Sequence, residues 1–400
     1  MGTENKKIEL MSPAGDFSTL KTAIDAGADA VYFGVNDFSM RTGKRNFVLS
    51  DIEKINEVCN SSSRKVKKYL TLNTIVYDKE IKRLEEIIAN TKEHIDAVIC
   101  SDLAVMELCN KYQLPFIVST QCSISNRKAA EFYRDLGAKR VVLARELSLE
   151  QIAEIAKIEN LEVEVFAHGA MCVAVSGRCF MSQFLFNKSA NRGECLHPCR
   201  RGYKVTEKEL GYELDLYHNT VMSAKDLCTL PFIEELKKAN IDALKIEGRN
   251  RDERYISTVT KAYRQAIDKT LTAPELIDLM EELQKVFHRD FSSGFYLGKP
   301  TPQDFATLEN SAATTYRDYV GKVTHFYPRL SVALISLNKE IKKGEEIIFV
   351  HKNDSLKSVK ITQMEVDYKK REKAEKEEEV AVKTNEVVKK GAAVYKIVEK

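Results

Sequence analysis

The 400-residue chain has no apolar run approaching eighteen residues, so its sequence predicts no membrane span. The opening stretch MGTENKKIELMSPAG has no apolar core of a secretion signal, and MGTENK lacks the Ser or Thr that completes a myristoylation motif. Charge of one sign is also scarce in excess. The formal balance is only +3, so whole-chain electrostatics point to no partner and only local clustering can. Neither H-E-x-x-H nor G-x-S-x-G occurs, which removes two common signatures of hydrolytic catalysis. Nine cysteines, an odd number, suit a reducing cytoplasm better than a disulfide framework. The expectation is a cytoplasmic protein with no membrane partner. Its 44% hydrophobic and 30% charged residues are ordinary for a chain with a large buried core.

From Ile8 to Gly248 one theme recurs: a short apolar run ending in polar or glycine residues, then an amphipathic helical pattern. The runs begin at Ile8, Ala28, Lys67, Asp96, Leu114, Lys139, Glu162 and Asp242. Eight strands alternating with helices imply a parallel sheet, and near-continuous apolar runs fit strands buried on both faces. The count favours an α/β fold of the (β/α)8 TIM-like type over an open doubly wound sheet. Beyond residue 300 the rhythm changes to short strands without helices. A small all-β barrel or sandwich is therefore predicted over 315–400, against 1–300 for the barrel domain. IKKGEEIIFV and VKKGAAVYKI read there as one turn-then-strand unit used twice. The mixed run Lys369 to Glu379 reads as a solvated hairpin tip.

In such a barrel, chemistry gathers at the C-terminal ends of the strands. Polar residues fall there: Ser12, Asn73, Ser101, Asp102, Thr120, Gln121, Arg145, Glu146, His168, and Lys245 through Arg249. The stretch between the seventh and eighth strands is the longest connection, so an insertion at about 169–228 is expected over this face. It holds Cys172, Cys179, Cys195 and Cys199, spaced C-x6-C-x15-C-x3-C. Zinc ribbons usually offer two C-x2-C knuckles, and this stretch has none; the wider spacing suits a [4Fe–4S] cluster, with structural Zn2+ as the alternative. Gly169, Gly177 and Gly193 would let the backbone bend close to the sulfurs, and Pro198 disfavours helical backbone at His197.

The run Glu164-x-Phe166-x-x-Gly169-Ala170-Met171-Cys172, followed by Gly177-x-Cys179-x-Met181-Ser182, resembles the signature of the peptidase U32 family. LMSPAGDFSTLKTAIDAGADAVYFG and LKIEGRNRDERYI resemble further landmarks of that family, over essentially the whole chain. The resemblance implies a [4Fe–4S] cluster on the four cysteines, with Cys228 as the alternative to Cys199, because some members take their fourth ligand further downstream. It further implies hydroxylation of an RNA base: prephenate-dependent 5-hydroxylation of the tRNA wobble uridine, with hydroxylation of a ribosomal RNA cytidine, or a quinone-pathway hydroxylation, as the runner-up. The expected partners are therefore tRNA (rRNA second), a small dicarboxylate co-substrate such as prephenate, and a homologous or electron-donating protein.

Residues bear on this separately. Lys188, Arg192, Arg200, Arg201 and Lys204 cluster beside the cysteines; Arg249, Arg251 and Arg254 follow the eighth strand; Arg41, Lys44 and Arg45 follow the second. A basic rim could contact phosphates, and Phe180, Phe184, Phe186 and Tyr203 could stack on an extruded base. By position, His168, Lys245 and Glu247 are candidate catalytic groups. Asn73, Gln121, Arg145, Arg192, Arg200, Arg201 and Arg249 are candidate substrate contacts, Arg145 and Arg249 suiting a carboxylate. A peptidase or collagenase-like protease, or a non-catalytic RNA-binding partner, are the readings of another class.

Overall fold

The computed structural model describes residues 7–36, 38–40, 46–172, 174–175, 178–201, 203–214, 223–308 and 311–400. Eight parallel strands close on themselves: β1 (Glu9–Pro13), β2 (Ala30–Phe33), β3 (Lys67–Leu72), β4 (Ala97–Cys100), β5 (Phe116–Val118), β6 (Arg140–Val142), β7 (Glu162–Gly169) and β8 (Ala243–Ile246). Each pairs with the next, and β8 pairs with both β7 and β1. The barrel is thus the closed TIM-like form that the alternation predicts. Apart from the solvent-facing first residues of β3 and β7, every residue in these strands is buried, because helices cover the outside while side chains fill the interior. No helix among the described residues is long and apolar enough to cross a membrane.

The outer helices are α1 (Phe17–Asp25), α2 (Ile52–Asn60), α3 (Ile81–Thr91), α4 (Leu103–Lys111), α5 (Arg127–Asp135) and α6 (Leu149–Ile155). Local chemistry fixes where they start. Asp16 caps α1 through a reciprocal box with Thr19, and Ser148 and Gln151 do the same for α6. Between β7 and β8 the insertion carries the one-and-a-half-turn helix α7 (Met181–Phe186), a short strand Asp226–Cys228 antiparallel to β7, and α8 (Ile233–Lys238). After β8 come α9 (Glu253–Asp268) and α10 (Ala273–Gln284).

β7 and β8 do not run in perfect register. Lys245 lies opposite Phe166, but the next residue, Ile246, lies opposite His168. One extra residue on β7 therefore shifts the parity of everything beyond Phe166.

A second core, built from residues between Val320 and Val394, belongs to an antiparallel eight-stranded sheet within residues 315–399. The two turn-strand units pair with each other: Ile347 lies opposite Lys396 and Phe349 opposite Val394. Their turns share one conformation, with Gly344 at φ 90° and Gly391 at φ 89°, a region that glycine enters without strain. KSVKITQMEVD forms two strands. Lys357–Lys360 pairs with Glu346–Phe349, whereas Met364–Val366 turns to pair with Glu379–Lys383. Lys369–Arg371 is exposed, but the run to Glu379 is not a solvated tip throughout: Lys373–Ala374 pairs with Ile341–Lys342, and Ala374 is buried in the second core.

This β domain packs along α1, from Ser18 to Asp25, and against the first turn of α9. Ser18 Oγ donates to Asp354 O at 3.0 Å, Lys21 Nζ to Asn353 O at 2.9 Å, and Arg317 pairs with Asp252 at 3.1 Å and Glu253 at 3.5 Å.

Candidate active site at the barrel mouth

The C-terminal ends of the strands enclose a cavity of about 60 Å3. Its walls hold Asn73, Gln121, Arg145, Lys245, Glu247 and Arg249, six of the residues singled out by position, together with Tyr32, Thr71, Ser119 and Phe166. Two-residue periodicity puts Thr71 and Asn73 on one inward face at the end of β3, whereas Ser119 follows β5 and Thr120 and Gln121 stand in the single 3-10 turn Thr120–Cys122 beyond it. Thr71 was therefore readable by counting back two residues from Asn73. Tyr32 carries no such signal; as an aromatic in an apolar run it reads as core.

The mouth is internally braced. Gln121 donates from Nε2 to Asn73 O at 2.7 Å and accepts from Ser119 Oγ at 2.8 Å. Arg249 is buried and donates from Nη1 to Ser39 Oγ at 2.6 Å and Thr71 Oγ1 at 3.0 Å. Arg145 stacks on Phe166 with 3.7 Å from guanidinium carbon to ring centre, and donates to Ala170 O at 2.7 Å. Lys245 is buried, lies 4.3 Å from the Tyr32 ring centre and donates to Glu164 Oε1 at 3.0 Å. Tyr32 in turn donates to Ile246 O at 2.8 Å. Three cations and one carboxylate, Glu247, thus converge on a cavity otherwise lined by amide, hydroxyl and aromatic groups and by the apolar Met40, Ile99 and Val142.

His168 lies elsewhere. The extra residue on β7 turns it outward, where it packs among Tyr255, Tyr263 and Phe291 at ring separations of 6.0, 5.6 and 5.4 Å. Burial, reinforced by the nearby charges of His288 and Arg251, lowers its pKa to about 3, so it is neutral at ordinary pH. It does not line the mouth.

In the insertion, Cys172 is exposed and Cys179, Cys195 and Cys199 are half-buried. Burial raises the Cys199 thiol; Arg200 pulls it back, and Cys172, Cys195 and Cys179 each push it up, so the four sulfurs share one electrostatic neighbourhood. Among the described residues no three potential ligands close around a single metal ion. A tetrahedral zinc with bonds of about 2.3 Å holds its sulfurs only about 3.8 Å apart, whereas a four-iron cube spreads them further. Four thiols on one insertion form a donor set that suits either a cluster or a zinc ion by its chemistry. Cys228 is fully buried against Tyr263 and Met280, with its thiol raised to about 11 by burial, and is not among the groups acting on Cys199.

The loop holds itself in shape. Cys179 N donates to Asn191 Oδ1 at 3.0 Å, and Leu196 N to Ser182 Oγ at 2.9 Å. Gly169 and Gly193 adopt φ 107° and 93°, as expected of tight bends; Gly177 lies outside the described residues. His197, barred from the right-handed helical region by Pro198, takes φ 54°. Arg200 clasps the insertion's two ends, donating to Met171 O, Ser223 Oγ and Ala224 O.

The basic rim is less open than its sequence suggests. Lys188 pairs with Glu194, Arg192 with Glu80, and Lys204 with Glu213, while Arg201 covers the Phe186 ring at 4.8 Å. Arg251 stacks on Phe287 and Arg254 bonds Lys285 O and Thr315 Oγ1. Arg41, Lys44 and Arg45 lie outside the described residues. What the insertion does present is aromatic surface: Phe184 is 88% and Phe180 73% exposed on and beside α7.

The model of peptidase family U32 matches residues 15–305. The chain belongs to the U32 family. This U32 protein is 41% identical over 406 aligned positions to an uncharacterized protease of Methanocaldococcus jannaschii, covering 98% of each chain. It is 37% identical to a protein named collagenase from Porphyromonas gingivalis, covering 97% of each. With the tRNA hydroxylation protein P1 of Bacillus subtilis it shares 34% identity over 86% of this chain and 83% of that one. Relatives of similar closeness therefore carry both protease and RNA-hydroxylation names, and the site chemistry has to decide between them.

Proposed function

We propose that this U32 protein hydroxylates an RNA base, the 5-position of the tRNA wobble uridine, with a carboxylate-bearing oxygen source of the prephenate type bound in the barrel mouth. One observation carries the reading: a small cavity with three cations and one carboxylate, beside a four-cysteine loop that presents exposed aromatic rings. Proteolysis would need a nucleophile paired with a base, or a metal with an open position. Among the described residues lining the mouth there is no histidine, and Ser119 donates its proton to Gln121 instead of a base.

Cys172, Cys179, Cys195 and Cys199 would hold the [4Fe–4S] cluster, which when bound supplies one-electron chemistry or a fixed scaffold for the loop. The chain's own groups then have separate tasks. Phe180 and Phe184 offer faces on which an unstacked base can lie. Arg145, Lys245 and Arg249 orient the carboxylates of the oxygen source. Glu247, which Tyr32 approaches at 3.5 Å, is placed to accept or return a proton. The β domain, packed along α1 and against the start of α9, would extend the surface available to a folded RNA.

The test is deletion of the gene in its native host, followed by nucleoside mass spectrometry of tRNA and rRNA. Loss of 5-hydroxyuridine derivatives from tRNA is expected. Loss of 5-hydroxycytidine from rRNA would move the substrate to the ribosome, and unchanged hydroxynucleosides in a host that makes them would end the proposal.

A further inference from the structure

Barrel interiors of this architecture are usually filled by branched apolar side chains. Here charge runs from the floor to the mouth. Lys245 Nζ donates to Glu164 Oε1 at 3.0 Å. The other oxygen of Glu164 accepts from Arg140 Nη1 at 3.2 Å, and the same nitrogen donates to Glu9 Oε1 at 2.7 Å. Arg140 Nε reaches Glu162 at 2.8 Å, Lys67 reaches Glu9 at 2.6 Å, and Tyr69 donates to Glu9 at 3.0 Å. Glu9, Arg140, Glu164 and Lys245 are all buried, Glu164 completely.

The formal charges in this stem cancel: Lys67, Arg140 and Lys245 against Glu9, Glu162 and Glu164. Mutual neutralisation alone would not require the upper end to line a cavity, yet Lys245 does. An ammonium has three protons to donate. Glu164 takes one, and the thioether of Met11, a weak acceptor, lies at 3.5 Å. The rings of Tyr32 and Phe166 flank the charge at 4.3 and 5.9 Å.

We infer that Glu164, itself held by Arg140, is a positioning residue that fixes the Lys245 ammonium at the mouth, and that this ammonium binds an anionic ligand through a carboxylate. The inference deepens the reading of the mouth as the oxygen-source site and rests on it, but it concerns binding alone. Removing a carboxylate close to an anion site should strengthen anion binding if that carboxylate acts only through its field. If Glu164 instead holds Lys245 in place, its removal weakens binding. The two roles have opposite signs.

The experiment measures binding of malonate, with malonamide as the uncharged control, by calorimetry on the full chain. Malonate is expected to bind and malonamide not. K245M should weaken malonate binding tenfold or more. E164Q should weaken it several-fold, E164D should recover part of the loss, and the E164Q/K245M pair should lose no more than K245M alone. E164Q binding malonate as well as or better than the natural chain overturns the positioning role, and a natural chain that ignores malonate overturns the site. If E164Q does not fold, the ammonium resonance of Lys245 in the unaltered protein decides the matter: malonate must shift it, and an unmoved resonance refutes the proposal. Malonate binding with unchanged hydroxynucleosides would leave this site standing while the RNA reading fails.

Discussion

Gly34 and Arg249 compete for one space: a β carbon built on Gly34 would lie 2.3 Å from Nη1 of Arg249 and 2.2 Å from Oγ of Ser39. The glycine at the end of β2 is thus what lets the guanidinium enter the mouth and reach Thr71. G34A meets the far end of Arg249 but also Ser39 Cβ at 2.8 Å, which is fixed to the backbone, so the segment must shift and the cost should be about 1–3 kcal/mol. Arg249 has to move, and a misplaced binding group of this kind costs on the order of a hundredfold. The hydroxynucleoside level, measured beside the melting temperature, should fall far more than stability does. Equal losses would mean that Gly34 serves packing alone.

Glu9 gives a pH signature to the stem. Burial raises its carboxyl, but Arg140 and Lys67 outweigh burial and lower the pKa from 4.5 to about 2. A carboxyl depressed in the folded state stabilises fully above its unfolded value and loses that contribution as pH falls through the folded one. The stabilisation is of the order of 3 kcal/mol. E9Q should therefore be less stable in urea by about 2–3 kcal/mol near neutrality, since Arg140 keeps two other carboxylates. The gap should narrow from pH 4.5 downward, and a gap constant over that window would show that Glu9 acts through packing.

His168 should behave as a neutral core residue. With its pKa lowered to about 3, its contribution to stability is complete above the unfolded value of 6.5 and declines below it, because only the unfolded chain takes up the proton. Its ring resonances should stay flat from pH 8 to pH 5. H168Q should cost about 1–2 kcal/mol through lost packing and leave RNA hydroxylation near its natural level. A ring that titrates near neutrality, or a variant that folds normally but hydroxylates nothing, would return His168 to the mechanism.

The barrel was legible because its signals are periodic and local: an apolar run marks every strand, and side-chain caps support α1, α4, α5, α6 and α9. The mouth was legible where polarity stands out against that background, at Asn73, Gln121, Arg145 and Arg249. His168 was not, since one extra residue on β7 inverts the face, and nothing in EVEVFAHG marks the irregularity. The basic clusters misled for a different reason. Lys188, Arg192 and Lys204 meet Glu194, Glu80 and Glu213, of which Glu80 lies more than a hundred positions from its partner. The stem was present in the sequence as charges at inward positions of β1, β6 and β7, but each reads singly as an exception until closure brings them together.

The cysteines offer the sharpest separation of readings. Cys228 packs against Tyr263 and Met280 behind β7, while Cys199 feels the charges of the other three thiols of the loop. Protein purified without oxygen should be brown, with about four irons and four sulfides per chain, as a cube requires. C172S, C179S, C195S and C199S should each lose most of the iron and the visible absorbance. C228S should keep both and lose only stability, by about 1 kcal/mol, for exchanging a buried thiol for a hydroxyl. Colour retained in C199S but lost in C228S would exchange the fourth ligand. Colourless protein with one zinc per chain would replace the cluster with a structural ion and remove electron transfer from the chemistry of the loop.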